Sequence, residues 1–249
     1  MPYAEGAGVA LHYRSHGDGP AVLLVHGMAS DSQAWQPLAE QLAADGLRAI
    51  ALDRRGYGDS GAPEPYAATT VQEQAEDVAA LLGAVDATPA LLVGDGFGAL
   101  VVLELVVRRP ALARAAVLAD PPLFAFVPAA TPALADERTL LEQGLREGGP
   151  PAAVRAWLAG TGIAADDARA ARAVAAARGF FADYAGQSSW SPSRGELRAV
   201  GVPLMVVTGP ATPAHVVEAA EAVTRLVPGA QRTDDGDVVA AALALEARG

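Results

Sequence analysis

The chain has 249 residues, 51% hydrophobic and 19% charged, which suits one compact domain with a large core and excludes a disordered tail protein. Its 29 acidic residues against 18 basic ones give a formal net charge of -11, which argues against nucleic acid as a partner because a phosphate backbone meets general repulsion. With no cysteine there are no disulfides, thiol nucleophiles or thiolate metal sites, and no apolar run reaches the ~20 residues of a membrane span, so the expectation is a soluble, cytoplasmic protein with no membrane partner.

Residues 9–16 alternate as a strand does, Gly17-Asp18-Gly19-Pro20 is a turn, and 21–25 is a buried strand. A helix over 32–44 and a strand over 47–52 lead into 53–61, a stretch too rich in glycine for regular structure, which reads as a functional loop. The spacing then predicts an amphipathic helix over 70–82, a strand over 90–93, a helix over 97–109 stopped by Pro110, and a strand over 114–119 stopped by Pro121-Pro122. A strand over 202–208, a helix over 214–226 and a last helix from about 237 complete the pattern. Short apolar runs alternating with helix-length segments define an α/β fold, a mostly parallel sheet flanked by helices.

Residues 121–199 break that rhythm and read as helices separated at Gly148-Gly149-Pro150, Gly160-Thr161-Gly162 and Ser191-Pro192-Ser193. They form the candidate helical cap, inserted between core segments 1–120 and 200–249. Seven of the 13 aromatic residues fall there: Phe124, Phe126, Trp157, Phe180, Phe181, Tyr184 and Trp190. Such residues either line an apolar substrate pocket or form the insert's own small core.

Four pieces of the chain resemble the α/β-hydrolase family over essentially its whole length. Val25-His26-Gly27-Met28 followed by Trp35 is similar to the family's His-Gly oxyanion turn, and Asp53-Arg54-Arg55-Gly56-Tyr57-Gly58-Asp59-Ser60 to its Asp-x-Arg-Gly-x-Gly-x-Ser loop. Val93-Gly94-Asp95-Gly96-Phe97-Gly98-Ala99 sits where the family places its nucleophile elbow, and Pro203–Gly209 resembles the strand before the acid of the triad. This sequence departs from the pattern at all three triad positions. Gly96 leaves the nucleophile position without a side chain, Pro210-Ala211-Thr212-Pro213 holds no carboxylate, and no histidine follows His215. Covalent catalysis from the elbow is therefore chemically closed.

The resemblance assigns oxyanion-hole N–H groups to Met28 and Phe97, backbone donors that survive loss of the triad and are worth about 2.7–4 kcal/mol each in enzymes where one was removed. Gly96 also makes room over the elbow for a bulky substrate. Asp95, beside the elbow centre, and Asp120, at a strand's C-terminal end, are the candidate acid–base groups, and His26 is a third. Each has a structural alternative: Asp95 pairing with Arg55 or capping a helix, Asp120 ending its strand, His26 bonding backbone. His215, His12 and His16 read as surface residues. Ser30, with Asp31, Ser32, Tyr57, Asp59 and Ser60, offers hydrogen bonds from the rim of a pocket. No metal or phosphate-loop motif occurs, so the expectation is no metal, no cofactor and a small-molecule substrate as partner. Three functions fit these residues: a cofactor-free, non-hydrolytic enzyme (a cyclase, isomerase or lyase, of the kind found in secondary metabolism) acting on a bulky apolar carbonyl compound; a non-catalytic small-molecule binder or partner protein; and a hydrolase whose carboxylate activates water.

Overall fold

Strands with almost no polar side chain are stable only when both faces are covered, and a mostly parallel sheet supplies that cover. The structure is a computed structural model describing residues 2–161 and 166–248. β1 (Tyr3–Glu5), β2 (Ala10–His16), β3 (Ala21–Val25), β4 (Arg48–Leu52), β5 (Ala90–Asp95), β6 (Ala113–Ala119), β7 (Leu204–Val207) and β8 (Gln231–Thr233) form one sheet in the order β1-β2-β4-β3-β5-β6-β7-β8. β1 and β2 pair antiparallel, as do β2 and β4, and the remaining pairings are parallel. β3 and β5 at the centre are buried almost throughout.

The helices are α1 (Gln36–Ala44), α2 (Val71–Ala84), α3 (Phe97–Arg108), α4 (Thr131–Thr161), α5 (Asp167–Ala175), α6 (Ala177–Ser189), α7 (Arg194–Arg198), α8 (Ala214–Leu226) and α9 (Val238–Glu246). On one side of the sheet α2, α3 and α8 pack with Leu23, Val25, Leu92 and Leu118; on the other, α1 and α9 cover Leu24, Ala51, Val93 and Val117. α3 is buried continuously from Phe97 to Val106, which is why its sequence is apolar nearly all round. Within 32–44 the chain opens with a short 3-10 turn over Ser32–Trp35, capped by the Asp31 carboxylate on the Gln33 N–H at 3.1 Å, before α1 begins.

Two strands have no counterpart in the sequence reading. β1 and β8 are three residues each and sit at the sheet's edges with mostly exposed side chains, so neither carries an apolar signal.

Between β6 and β7 the chain runs through α4 to α7. Gly148 and Gly149 leave helical geometry inside α4, with φ of -163° and 70°, and split it into two limbs. The limbs fold back on one another, Trp157 Nε1 reaching the Glu137 carboxylate at 3.2 Å and Gly144 lying against Ala153. Of the expected break at Gly160-Thr161-Gly162, Gly162 lies outside the described residues. α4, α5 and α6 share a cluster around Phe180 that also takes in Ala29, whereas Trp190 and Leu197 join the core beneath the sheet.

Candidate active site

The C-terminal ends of β3, β5 and β6 meet under the cap. β5 closes with Asp95, Gly96 takes φ 50° and ψ -118°, and α3 starts at Phe97, so the strand-to-helix elbow is formed. Side chains at Gly94 and Gly98 would collide with neighbouring backbone, Gly94 with the Gly98 carbonyl and Gly98 with that of Val25. Gly96 is different: a Cβ there would stand 3.7 Å from the Gly27 Cα, an ordinary contact. Space does not require glycine at this position, and only the positive φ favours it.

The His-Gly turn faces the elbow. Among the described residues the Met28 N–H finds no acceptor, and Phe97, first in α3, has no carbonyl a turn earlier to receive its own N–H. Asp95 lies beside this turn, one carboxylate oxygen 3.1 Å from where a side chain on Gly27 would begin. It does not pair with Arg55, which instead grips Asp77 through Nε at 2.6 Å and Nη2 at 2.9 Å. Nor does it cap α3, and among the described residues its carboxylate accepts no hydrogen bond. Burial first, and then the nearby charge of Asp120, raise its pKa to about 6, against the opposing pull of Arg169 and Arg54.

Asp120 follows β6 with φ 44°, a left-handed conformation that costs a non-glycine residue energy. Its carboxylate accepts a hydrogen bond from the Thr212 hydroxyl at 2.7 Å, and that hydroxyl in turn receives the Gly209 N–H at 2.8 Å. Burial raises the Asp120 pKa and the Thr212 bond partly offsets it. The loop after β7 is thus tied to the end of β6. Beyond β8 only residues 234–237 precede α9, and Gly236 donates its N–H to the Thr208 carbonyl at 3.0 Å.

His26, read from the sequence as a third acid–base candidate, is corrected to a residue held by backbone. It is 1% exposed, its Nδ1 donates to the Gly27 carbonyl at 2.7 Å, and its Nε2 accepts the Arg54 N–H at 3.0 Å. Both nitrogens are committed to backbone, and burial together with the Arg54 charge lowers its pKa to about 3, so it stays neutral. His12 is also not a surface residue, being fully buried with Nδ1 2.7 Å from the Asp53 carboxylate. His12, Asp53 and Asp59 place one potential metal-ligand atom each within 4.8 Å of one another, but the His12–Asp53 hydrogen bond already uses the inner pair. His215 is half-buried, with Nε2 3.9 Å from Glu137.

The aromatic residues divide. Phe181 and Tyr184 stay half-buried in the cap cluster that Met28 packs against, and Ser30 is buried in the adjoining turn. Trp157 sits inside that cluster at 5% exposure, edge-on to Phe180. Trp190 is corrected as a pocket residue: it is buried in the main core and donates its indole N–H to Glu104 at 3.0 Å. Phe124 and Phe126 pack towards α8, Phe124 against the His215 ring and Phe126 beneath Arg194. Two surface cavities lie elsewhere, one of about 530 Å³ between Trp35, Leu38 and the start of α9, and one of about 290 Å³ between Phe126 and Glu218.

Sequence reasoning missed the most heavily bonded group in this region. Arg54, fully buried, donates through Nε to the His26 carbonyl at 2.7 Å, through Nη1 to Gln74 at 2.7 Å and through Nη2 to the Gly27 carbonyl at 2.9 Å. Nη2 also stands 2.7 Å from the Asp183 carboxylate, which receives the Tyr57 hydroxyl and the Gln74 amide at 2.7 Å each. The signal was in α6: Gly179, Asp183 and Gly186 share one helix face, and the two glycines approach the backbone carbonyls of Gly56 and Thr69.

Comparison with known proteins agrees with the fold. A family model described as serine aminopeptidase, S33, matches residues 19–146. An epoxide hydrolase of Caballeronia sordidicola is 39% identical over 103 residues, covering 41% of this chain and 31% of that protein. A putative carbamate hydrolase RutD of Variovorax paradoxus is 39% identical over 112 residues, covering 44% of this chain and 42% of that one. The matched stretches span less than half the length of these curated relatives. The crystal structure of an alpha/beta hydrolase from Sphaerobacter thermophilus superposes with a TM-score of 0.77 at 24% identity, covering 100% of both chains.

Proposed function

The chain belongs to the α/β-hydrolase superfamily, and from that premise we propose that it is a cofactor-free enzyme working without an elbow nucleophile, a cyclase, isomerase or lyase for a bulky apolar carbonyl compound. The observation that carries this reading is Asp95, a carboxyl with a pKa of about 6, beside the Met28 N–H, neither of which has a hydrogen-bond partner among the described residues. A carbonyl oxygen placed between Met28 and Phe97 would gain negative charge as Asp95 removes a proton from the adjacent carbon. The backbone donors stabilise that enolate without a covalent bond to the protein. Asp120, a second carboxyl on the neighbouring strand, keeps the Asp95 proton affinity in the range where both uptake and release are easy near neutral pH. Phe181 and Tyr184 would contact the apolar body of the substrate.

A second reading has its own support, because the curated relatives are named as epoxide and carbamate hydrolases. In it Asp95 activates a water molecule instead of a C–H bond.

The test is to incubate the protein, far below stoichiometry, with a metabolite extract of its source organism and follow the mixture by mass spectrometry. Consumption of more than one equivalent with a product of equal mass, or of mass lower by one water, supports the non-hydrolytic reading. A product heavier by one water, or two products whose masses sum to the substrate plus one water, supports hydrolysis. A compound retained at one equivalent and released unchanged on denaturation sinks both and makes the protein a binder.

A further inference from the structure

A trans peptide points its carbonyl and its N–H in opposite directions, so whatever holds the Gly27 carbonyl also aims the Met28 N–H. Two donors hold it: Arg54 Nη2 at 2.9 Å and His26 Nδ1 at 2.7 Å. Arg54 also fixes the His26 carbonyl through Nε, and the face of its guanidinium lies over the Phe97 ring, 4.9 Å from the centroid. One side chain therefore touches the peptide that carries the Met28 N–H, through its Gly27 carbonyl, and the ring of Phe97.

Arg54 does not hold itself. Its far edge is set by Asp183 and Gln74, and Asp183 is a cap residue, brought in by α6 and anchored by the Tyr57 hydroxyl. We infer that Arg54 is the positioning residue for the Met28 donor and that Asp183 sets Arg54, so that the seating of cap helix α6 governs whether the oxyanion donor faces the elbow. The inference rests on the reading of Met28 and Phe97 as oxyanion donors given under Proposed function. A purely structural ion pair would need the Asp183 contact alone; the fork onto two successive carbonyls of the turn adds direction.

The absence of cysteine supplies the test, because Gly96→Cys places a single thiol at the elbow, where a Cβ has room. p-Nitrophenyl acetate acylates that thiol: the S–C bond forms through a tetrahedral oxyanion and p-nitrophenolate leaves. Iodoacetamide alkylates it, with iodide leaving and no oxyanion formed. The ratio of the two rate constants divides out the thiol's ionisation and access and reports oxyanion stabilisation. In Gly96→Cys the ratio should exceed that of free N-acetylcysteine amide by tenfold or more. Adding Arg54→Lys should lower it about tenfold, and adding Asp183→Asn or Tyr57→Phe severalfold, while Glu104→Gln, which disturbs only the Trp190 and Arg108 contacts, leaves it unchanged. Circular dichroism identifies folded variants, and Tyr57→Phe, the mildest change, decides if the other two unfold. A high ratio in Gly96→Cys that folded network variants leave intact overturns the inference alone. A ratio in Gly96→Cys no higher than the free thiol's overturns the oxyanion reading, and this inference with it.

Discussion

The two sides of the His-Gly turn are built from opposite kinds of polar group. Behind it, Arg54, Asp183, Gln74 and Tyr57 are buried and saturated with partners at 2.7–2.9 Å. In front, the Met28 N–H and the Asp95 carboxylate lack hydrogen-bond partners among the described residues. Both residues are half-buried, so these two groups stand at the border between core and solvent, where a ligand can supply the missing partner. The contrast fits rigidity at the rear and, on the proposed function, ligand contact in front.

The largest effect that would break this contrast is on turnover. Asp95→Asn should reduce conversion of the substrate roughly 100- to 10,000-fold, the usual contribution of a positioned acid or base. Mass-spectrometric turnover measures it, and full activity in the variant removes Asp95 from the mechanism. With the wild type, kcat/KM should rise with pH through about 6 and level off above, since the base form of Asp95 accumulates there.

Behind the turn the expected effect is on stability. Arg54→Ala strands the buried Asp183 carboxylate and should cost about 3–5 kcal/mol, read from denaturant unfolding. A loss under 1 kcal/mol would mean the rear network is not the rigid half.

In front of it, the same substitution that abolishes turnover should stabilise. The Asp95 pKa is raised on folding from 3.8 to about 6, so above pH 6 the folded state carries a charge it would rather not hold. Asp95→Asn should therefore gain about 1–3 kcal/mol above pH 6, with the gain fading as pH falls and gone below about 4, where the carboxyl is protonated in folded and unfolded chains alike. Calorimetry across pH 4 to 8 checks both the sign and the window. His26 works the other way: its folded pKa of about 3 means that the unfolded chain alone takes up a proton below about pH 6.5, so its contribution to stability falls with acidification.

The smallest effect sharpens the edge of the site. Thr212→Val removes the hydroxyl that steadies Asp120 and should cost about 0.5–1.5 kcal/mol, while moving the Asp120 pKa further up. An NMR titration of Asp120 follows the second part.

The scaffold was legible because periodicity and punctuation carry it: β3 and α8 fall where the apolar runs place them, and the glycines of the elbow mark the strand-to-helix turn. β1 and β8 were not, since a three-residue edge strand takes its hydrogen bonds from a neighbour and needs no apolar face. Asp95 was read from its place next to Gly96. Arg54 was passed over as one letter of a loop motif, because nothing local says that an arginine will be buried. Its partner lies more than a hundred residues away, a lone acid among the aromatics of α6. His26 and Trp190 were misjudged for the same reason. Residue type suggested chemistry, while the packing committed each to a hydrogen bond inside the fold.

The cap is joined to the core by two sorts of charge pair that answer differently to ionic strength. Arg178–Glu64 at the rim is about three-quarters exposed on both sides, and Arg172–Asp31 is partly so, whereas Arg54–Asp183 is sealed. Added salt screens the first kind over a Debye length of about 10 Å at 0.1 M and leaves the sealed pair nearly untouched. Any loosening of the cap in brine therefore starts from its outer margin, including the Arg178 end of α6, with the turn of α6 that carries Asp183 the last piece to let go.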